Sequence, residues 1–355
     1  MTNRERIVNT LTGRETDRLP FYVPLGPWWE TIVRWEKEGM QGSWHDNFNF
    51  DNGIVEVDIN YGYSPAFERK IIGETENTQI ITDEYGITLE LMKTHATIPK
   101  YLDYPLKNAA DWKELKKRLD PEDPARFPDN WEELIKRYNE GDAVVQLGRF
   151  PYGLFGTLRD MMGVEELMYA FYDEPDMVRD MMGYLTDMWL ALYEKVCRDV
   201  KVDIIHMWED MSGKQGSLIS IDMVREFMLP NYRRLRDFAD SHNIPVVSVD
   251  TDGDCSELIP PMMDAGINYF WPFEVAAGSD VVEFARLYPN LGIMGGIDKR
   301  EVAKGKEAID REFERIAPLR RNSRYIPAID HLVHPDISWD DFNYFAKKLN
   351  EYTHW

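Results

Sequence analysis

Asp250 and Asp252 are separated by one residue in the stretch PVVSVDTDG. On an extended backbone, side chains two apart project to the same side, so these two carboxylates are placed as a pair of ligands for one cation. Gly253 follows and permits a sharp turn over such an ion. The alternative is that DTDGD is an acidic turn capping the next helix, a role for which Asp is also favoured. Comparable chemistry recurs after other apolar runs: Glu209 and Asp210 after IIHMW, Glu274 after YFWPF, Asp298 after GIMGGI, and Asp330 with His331 after YIPAI, with His334 close behind. Carboxylates brought to one place repel each other unless a cation, a proton or a basic substrate compensates. A metal ion answers this most simply. Glu209 and Asp210 are the candidate catalytic carboxylates, although a lysine or arginine could pair with them instead. His206 alternates with Trp208 along its segment and reads as core.

Positioning these groups requires the preceding apolar runs to be strands that end on one face. Eight such runs occur, at 19–25, 55–59, 143–149, 203–210, 245–253, 267–274, 291–298 and 324–331, with helical patterns such as 174–200 and 221–243 between them. Near-continuous apolar strands alternating with helices imply a parallel sheet covered by helices. Eight units over 355 residues predict a closed (β/α)8 TIM barrel, in which the carboxyl ends of the strands carry the active site. The turn-rich residues 64–140 are too long for a simple crossover and read as an insertion after the second strand, near that face. Thr2 followed by Glu5 is a capping-box pattern and predicts a helix at the start. No linker, repeat or low-complexity tract divides the chain, so residues 1–355 read as a single domain.

The formal net charge of −22, with basic residues scattered, disfavours nucleic acid and anionic membranes as partners. No apolar stretch of about 20 residues is present to span a bilayer, and the charged opening residues do not resemble a secretory leader, which predicts a cytoplasmic location. Cys197 and Cys255 are the only cysteines and form no Cys-x-x-Cys motif, so a metal site must rest on His, Asp and Glu. Phosphate-loop, dinucleotide, GxSxG and HExxH fingerprints are absent. Trp28, Trp29, Phe150 and Trp208 are candidate substrate-binding residues for an aromatic-lined cavity, though aromatic residues serve more often as core.

Four segments carry a resemblance that extends over nearly the whole chain: NRERIVNTLTGRETDRLP, WEDMSGKQGSLISIDMVREFMLPNYRRL, GGIDKREVAKGKEAI and IPAIDHLVHPDISWDDF. They resemble the uroporphyrinogen decarboxylase superfamily, TIM barrels that divide into decarboxylases and zinc-dependent methyltransferases exchanging methyl groups with corrinoid proteins. The decarboxylases carry an arginine-rich MRQAGRY motif that grips tetrapyrrole carboxylates; here the corresponding stretch is FYVPLGPWWETIVRW, without that motif. The methyltransferases hold zinc through His-x-Cys-Gly and a later Cys. Laid over this chain, those ligands fall on Asp250, Asp252 with Gly253, and His331. The resemblance thus implies a site of harder donors, for Zn2+ or another divalent ion, better suited to polarising an oxygen than to activating a thiol. It further implies a methyltransferase that moves a methyl group from a small methoxylated or other O-methyl donor to cobalamin on a partner corrinoid protein. The alternatives are a decarboxylase or lyase acting on a smaller carboxylic acid, and a binding module that has lost catalysis. A homodimer is compatible with the sequence.

Overall fold

In the computed structural model, which describes residues 1–93, 98–322 and 324–354, the predicted capping box opens the first helix, α1 (Asn3–Leu11). The Thr2 hydroxyl accepts from the Glu5 amide at 3.1 Å, and the Glu5 carboxylate accepts from the Thr2 amide at 2.9 Å. The apolar side of α1, with Ile7 and Leu11, packs on Val144, Ile204, Val246 and Ile326 near the beginnings of four strands. The helix therefore closes the amino end of the sheet.

Seven parallel strands make up that sheet: β1 (Ile54–Glu56), β6 (Val144–Leu147), β7 (Ile204–Trp208), β10 (Val246–Asp250), β11 (Tyr269–Phe273), β12 (Gly292–Ile297) and β13 (Tyr325–Ile329), hydrogen-bonded in that order. The remaining strands are β2 (Lys70–Glu74), β3 (Thr78–Thr82), β4 (Thr88–Met92) and β5 (Lys100–Asp103), and the two-residue β8 (Ser212–Gly213) and β9 (Gly216–Ser217). The parallel sheet is curled, as in TIM-barrel-like folds. Strands β6 and β13 are buried throughout, which is why they read as nearly continuous apolar runs. In register, Ser248 lies beside His206 and Asp250 beside Trp208, so the polar tips of β7 and β10 come level.

The first predicted strand, at 19–25, joins no ladder. Its amides are reduced by Pro20 and Pro24, with Pro27 just beyond, and proline has no N–H to give a neighbouring strand. The segment is tied instead by single bonds, Leu19 N–H to the Thr353 carbonyl at 3.1 Å and Asp51 N–H to the Phe21 carbonyl at 2.8 Å.

Between β1 and β6 the turn-rich region folds into a separate antiparallel sheet in the order β2-β3-β4-β5, followed by α3 (Ala109–Leu115) and α4 (Trp131–Glu140). Ile81, Ile87 and Leu89 give it a small core of its own. After β6 come α5 (Leu154–Met162), α6 (Val164–Asp173) and α7 (Pro175–Cys197). Helix α7 begins on a proline, which is tolerated there, and buries Met177, Met181, Leu185 and Trp189 at four-residue spacing in the main apolar core.

Candidate active site

A cavity of about 880 Å³ opens where the parallel strands end, with Asp210, Asp250, Asp252 and His331 on its wall. The strand-tip carboxylates named from the sequence divide into those that face this space and those spent on holding the chain together.

Glu209 belongs to the second group. It is fully buried and is not on the cavity wall; its carboxylate accepts from the backbone amides of Leu154 at 3.0 Å, Phe155 at 2.6 Å and Gly156 at 3.2 Å, and from the Tyr232 hydroxyl at 2.5 Å. It therefore anchors the amino end of α5, and the expectation that it is a catalytic carboxylate does not match its placement. Burial pushes its carboxyl up to about 7 in spite of those four donors. Close approach of the backbones makes the anchor possible: a Cβ on Gly156 would stand 2.2 Å from the Trp208 carbonyl oxygen.

Asp298 and Asp330 are structural as well. Asp298 caps the following turn and pairs with the Arg300 guanidinium at 2.7 Å. Asp330 is fully buried and accepts from the amides of Val275 at 2.9 Å and Lys299 at 3.0 Å, joining the loops after β11 and β12; burial pushes it up to about 6.

Asp210 faces the cavity but is paired: Arg159 on α5 donates to its carboxylate at 2.5 Å and to its carbonyl at 2.6 Å. Burial raises the Asp210 carboxyl above the usual range, and Arg159 opposes that rise. The Arg159 guanidinium also lies 5.7 Å from the centre of the Trp208 ring. The carboxylate of Asp250, deeper in the wall, accepts no hydrogen bond from the described residues, although its carbonyl accepts from the Glu209 amide at 2.8 Å. Burial, and then repulsion from Asp252 and Asp210, drives its carboxyl well above the ordinary range.

Around Asp252 the chain reverses at Gly253, whose φ of +77° and closeness to the Ser212 carbonyl, 2.6 Å from where a Cβ would sit, both require glycine. Asp254, rather than either ligand candidate, makes the local turn, accepting from the Ser256 amide at 3.0 Å. The Asp252 carboxylate lies 3.5 Å from His331 Nε2. Glu274, at the end of β11, completes a group with them: one donor atom from each of Asp252, Glu274 and His331 lies within 4.8 Å of the others, the one such trio of metal-binding side chains among the described residues. Asp250 is outside this group, and Glu274 stands where Asp250 was expected.

Two oxygens and an imidazole nitrogen suit a divalent ion with bonds of about 2.0–2.2 Å, which modest closure of the three side chains would supply. His331 Nδ1 is buried with no hydrogen-bond partner among the described residues, so this imidazole is not committed elsewhere through that atom. Glu274 is engaged, accepting from Lys299 Nζ at 2.9 Å and from the Gly253 amide at 3.1 Å, so an ion would compete with an ammonium for it.

The aromatic candidates also divide. Phe150 and Trp208 line the cavity as an edge-to-face pair 4.7 Å apart, and Phe150 is 64% exposed at the opening. Trp28 and Trp29 are not on the wall. Trp28 leans on His334 at 5.1 Å, and Trp29 begins helix α2 (Trp29–Lys37) with its side chain exposed. His206, read as core, is buried but forms part of the cavity wall; its Nδ1 is 2.9 Å from the Ser248 hydroxyl, and burial pulls its pKa down to about 3, keeping the ring neutral. Arg137, Arg159 and Asp160 also line the cavity and carried no signal in the strand pattern, because they lie on helices; Arg149, the last residue of the run 143–149, lines it from just past β6.

A curled parallel sheet with an acidic, partly aromatic cavity at its carboxyl ends defines a TIM-barrel-like site of enzymatic type. The uroporphyrinogen decarboxylase (URO-D) family profile matches residues 76–352, and the chain belongs to that family. A uroporphyrinogen decarboxylase of Rhodococcus erythropolis is 25% identical over 173 residues, 47% of this chain and 45% of the relative, so the match spans less than half of that relative's length. Among solved structures, a methyltransferase from Methanosarcina mazei superposes with a TM-score of 0.58 at 14% identity, covering 99% of both chains. A B12-independent methionine synthase from Shewanella sp. W3-18-1 is similar with a TM-score of 0.39 at 11% identity, over 80% of this chain and 75% of its own. At those identities the likeness concerns the fold.

Proposed function

We propose that the chain is a corrinoid-linked methyltransferase that takes a methyl group from a small O-methyl substrate, such as a methoxylated aromatic, and passes it to cobalamin on a partner protein. The grouping of Glu274 with Asp252 and His331, the latter two on the cavity wall, carries this reading. In it they hold Zn2+ or another divalent ion, which acts as a Lewis acid on the substrate's ether oxygen. Phe150 and Trp208 flank the substrate's ring, and the exposed Phe150 marks the rim on which the corrinoid protein docks. Asp210 is retained as a polar contact, tempered by Arg159. The family supplies enzymes, and the methyltransferase fold-likeness supports this branch of it. The same reading treats the sheet at 70–103 as an insertion on a barrel completed by residues 19–25, and the protein as cytoplasmic; no helix among the described residues is long and apolar enough to cross a membrane.

The test combines elemental analysis with transfer from methoxybenzoates to cob(I)alamin. About one zinc per chain is expected, lost in the double variant Asp252→Ala, His331→Ala together with methyl transfer. A double variant that keeps its full metal content overturns the ligand assignment. A second reading, a decarboxylase acting on a smaller acid, is favoured by Arg137 and Arg149 on the cavity wall, which could hold a carboxylate. Release of CO2 from a metal-free preparation would establish it instead.

A further inference from the structure

Helix α5 turns two adjacent side chains, Arg159 and Asp160, toward the cavity. Arg159 is committed to Asp210, through both its carbonyl and its carboxylate. Asp160 is left with no hydrogen bond to its carboxyl among the described residues. Behind it lies a small aromatic pocket bordered by Tyr61, Tyr63 and Tyr152, which offers no cation. A carboxyl so placed has no hydrogen bond or ion pair among the described residues to keep it ionised, while it lines a cavity open to a ligand.

We infer that Asp160 is the proton donor of this cavity, delivering its carboxyl proton to the oxygen from which the methyl group departs. The inference rests on the methyl-transfer reading and adds a residue to it. In the step, the methyl carbon–oxygen bond breaks and the methyl group passes without the bonding pair to cob(I)alamin, which supplies both electrons of the new carbon–cobalt bond. The original pair stays on oxygen, the Asp160 proton joins it to give a hydroxyl product, and the Asp160 carboxylate recovers a proton from water. Asp160 is not one of the proposed metal donors, so an ion polarising the oxygen and an acid protonating it can act together.

The surroundings agree. The charged groups that act on Asp160 are Arg159 beside it, Asp210 after β7 and Asp83 from the antiparallel sheet. Its charge is felt in turn by the hydroxyls of Tyr63, Tyr85, Tyr101 and Tyr104. Burial is the largest influence and outweighs Arg159, and the two carboxylates add to it, so the group is pushed up to about 7. An acid in that range is half loaded at neutral pH, where general acids are most effective.

The experiment uses zinc-loaded protein, free cob(I)alamin and a series of aryl methyl ethers whose phenol products differ in acidity. Asp160→Asn should lose roughly 100-fold in rate with the least acidic phenol and less than tenfold with the most acidic, because only poor leaving groups need the proton. The wild-type rate should fall above about pH 7 and the Asp160→Asn rate should not. Carbon-13 NMR of aspartate-labelled protein, which needs no turnover, should show a carboxyl resonance titrating near neutrality that is missing from Asp160→Asn. A uniform loss across the ether series, no loss at all, or an Asp160 resonance titrating in the ordinary carboxylate range would overturn the role. Wild-type protein that demethylates none of the ethers would overturn the methyl-transfer reading itself, and the role with it.

Discussion

At the scale of single residues, Asp250 and Asp252 have different surroundings although both line the cavity. Asp252 meets His331 and Glu274; Asp250 sits deeper, away from that trio. Asp250→Asn should therefore retain zinc, whereas Glu274→Ala should weaken it by at least tenfold, both read by chelator competition. The reverse pattern would restore the pairing read from the sequence. That reading identified which strand tips were acidic, and Glu274 was among them, but it could not tell which carboxylates were already satisfied. Glu209 illustrates the difficulty, since the three amides that bind it belong to a helix start more than fifty residues away in the chain. Arg159 and Asp160 were illegible for a related reason: nothing in a helical pattern marks which turn looks into a cavity.

At the scale of elements, the contact between α5 and the end of β7 orients three groups at once, Glu209, Arg159 and Asp160. Gly156→Ala would place a methyl group 2.2 Å from the Trp208 carbonyl and 2.6 Å from its ring, which the backbone cannot relieve without moving α5 off the strand. A loss of about 1–3 kcal/mol in urea unfolding is expected, in the range of overpacked cores, with weaker ligand binding as α5 shifts. Elements of this kind were the most legible part of the sequence. Strands β6, β7 and β10 to β13 coincide with nearly continuous apolar runs, because a parallel strand buried on both faces has no regular polar alternation to confuse the pattern. The first expected strand failed on its prolines, and the antiparallel strands β2 to β5 went unread because few of their side chains are fully buried, which leaves little apolar signal.

At the scale of the whole molecule, stability should depend on pH in a direction set by buried acids. Glu209, pushed up to about 7, and Asp330, to about 6, both bind protons more tightly folded than unfolded. Their stabilising protonation is complete at low pH and is lost as pH rises through these values, so between about pH 5 and 8 unfolding becomes easier as the solution becomes more alkaline. Urea midpoints across that window should decline in the wild type and decline less in Glu209→Gln; a midpoint that rises instead would contradict the assignment of these carboxyls.

Helix α1 gives the molecule a closed floor, with Ile7 and Leu11 seated against the starts of the strands. A protein settling on the rim beside Phe150 would thus cover the same doorway that a small molecule uses. On the proposed reading, traffic would then be sequential: the donor would have to be aboard before the partner arrives, and the spent product would wait until the partner lifts away.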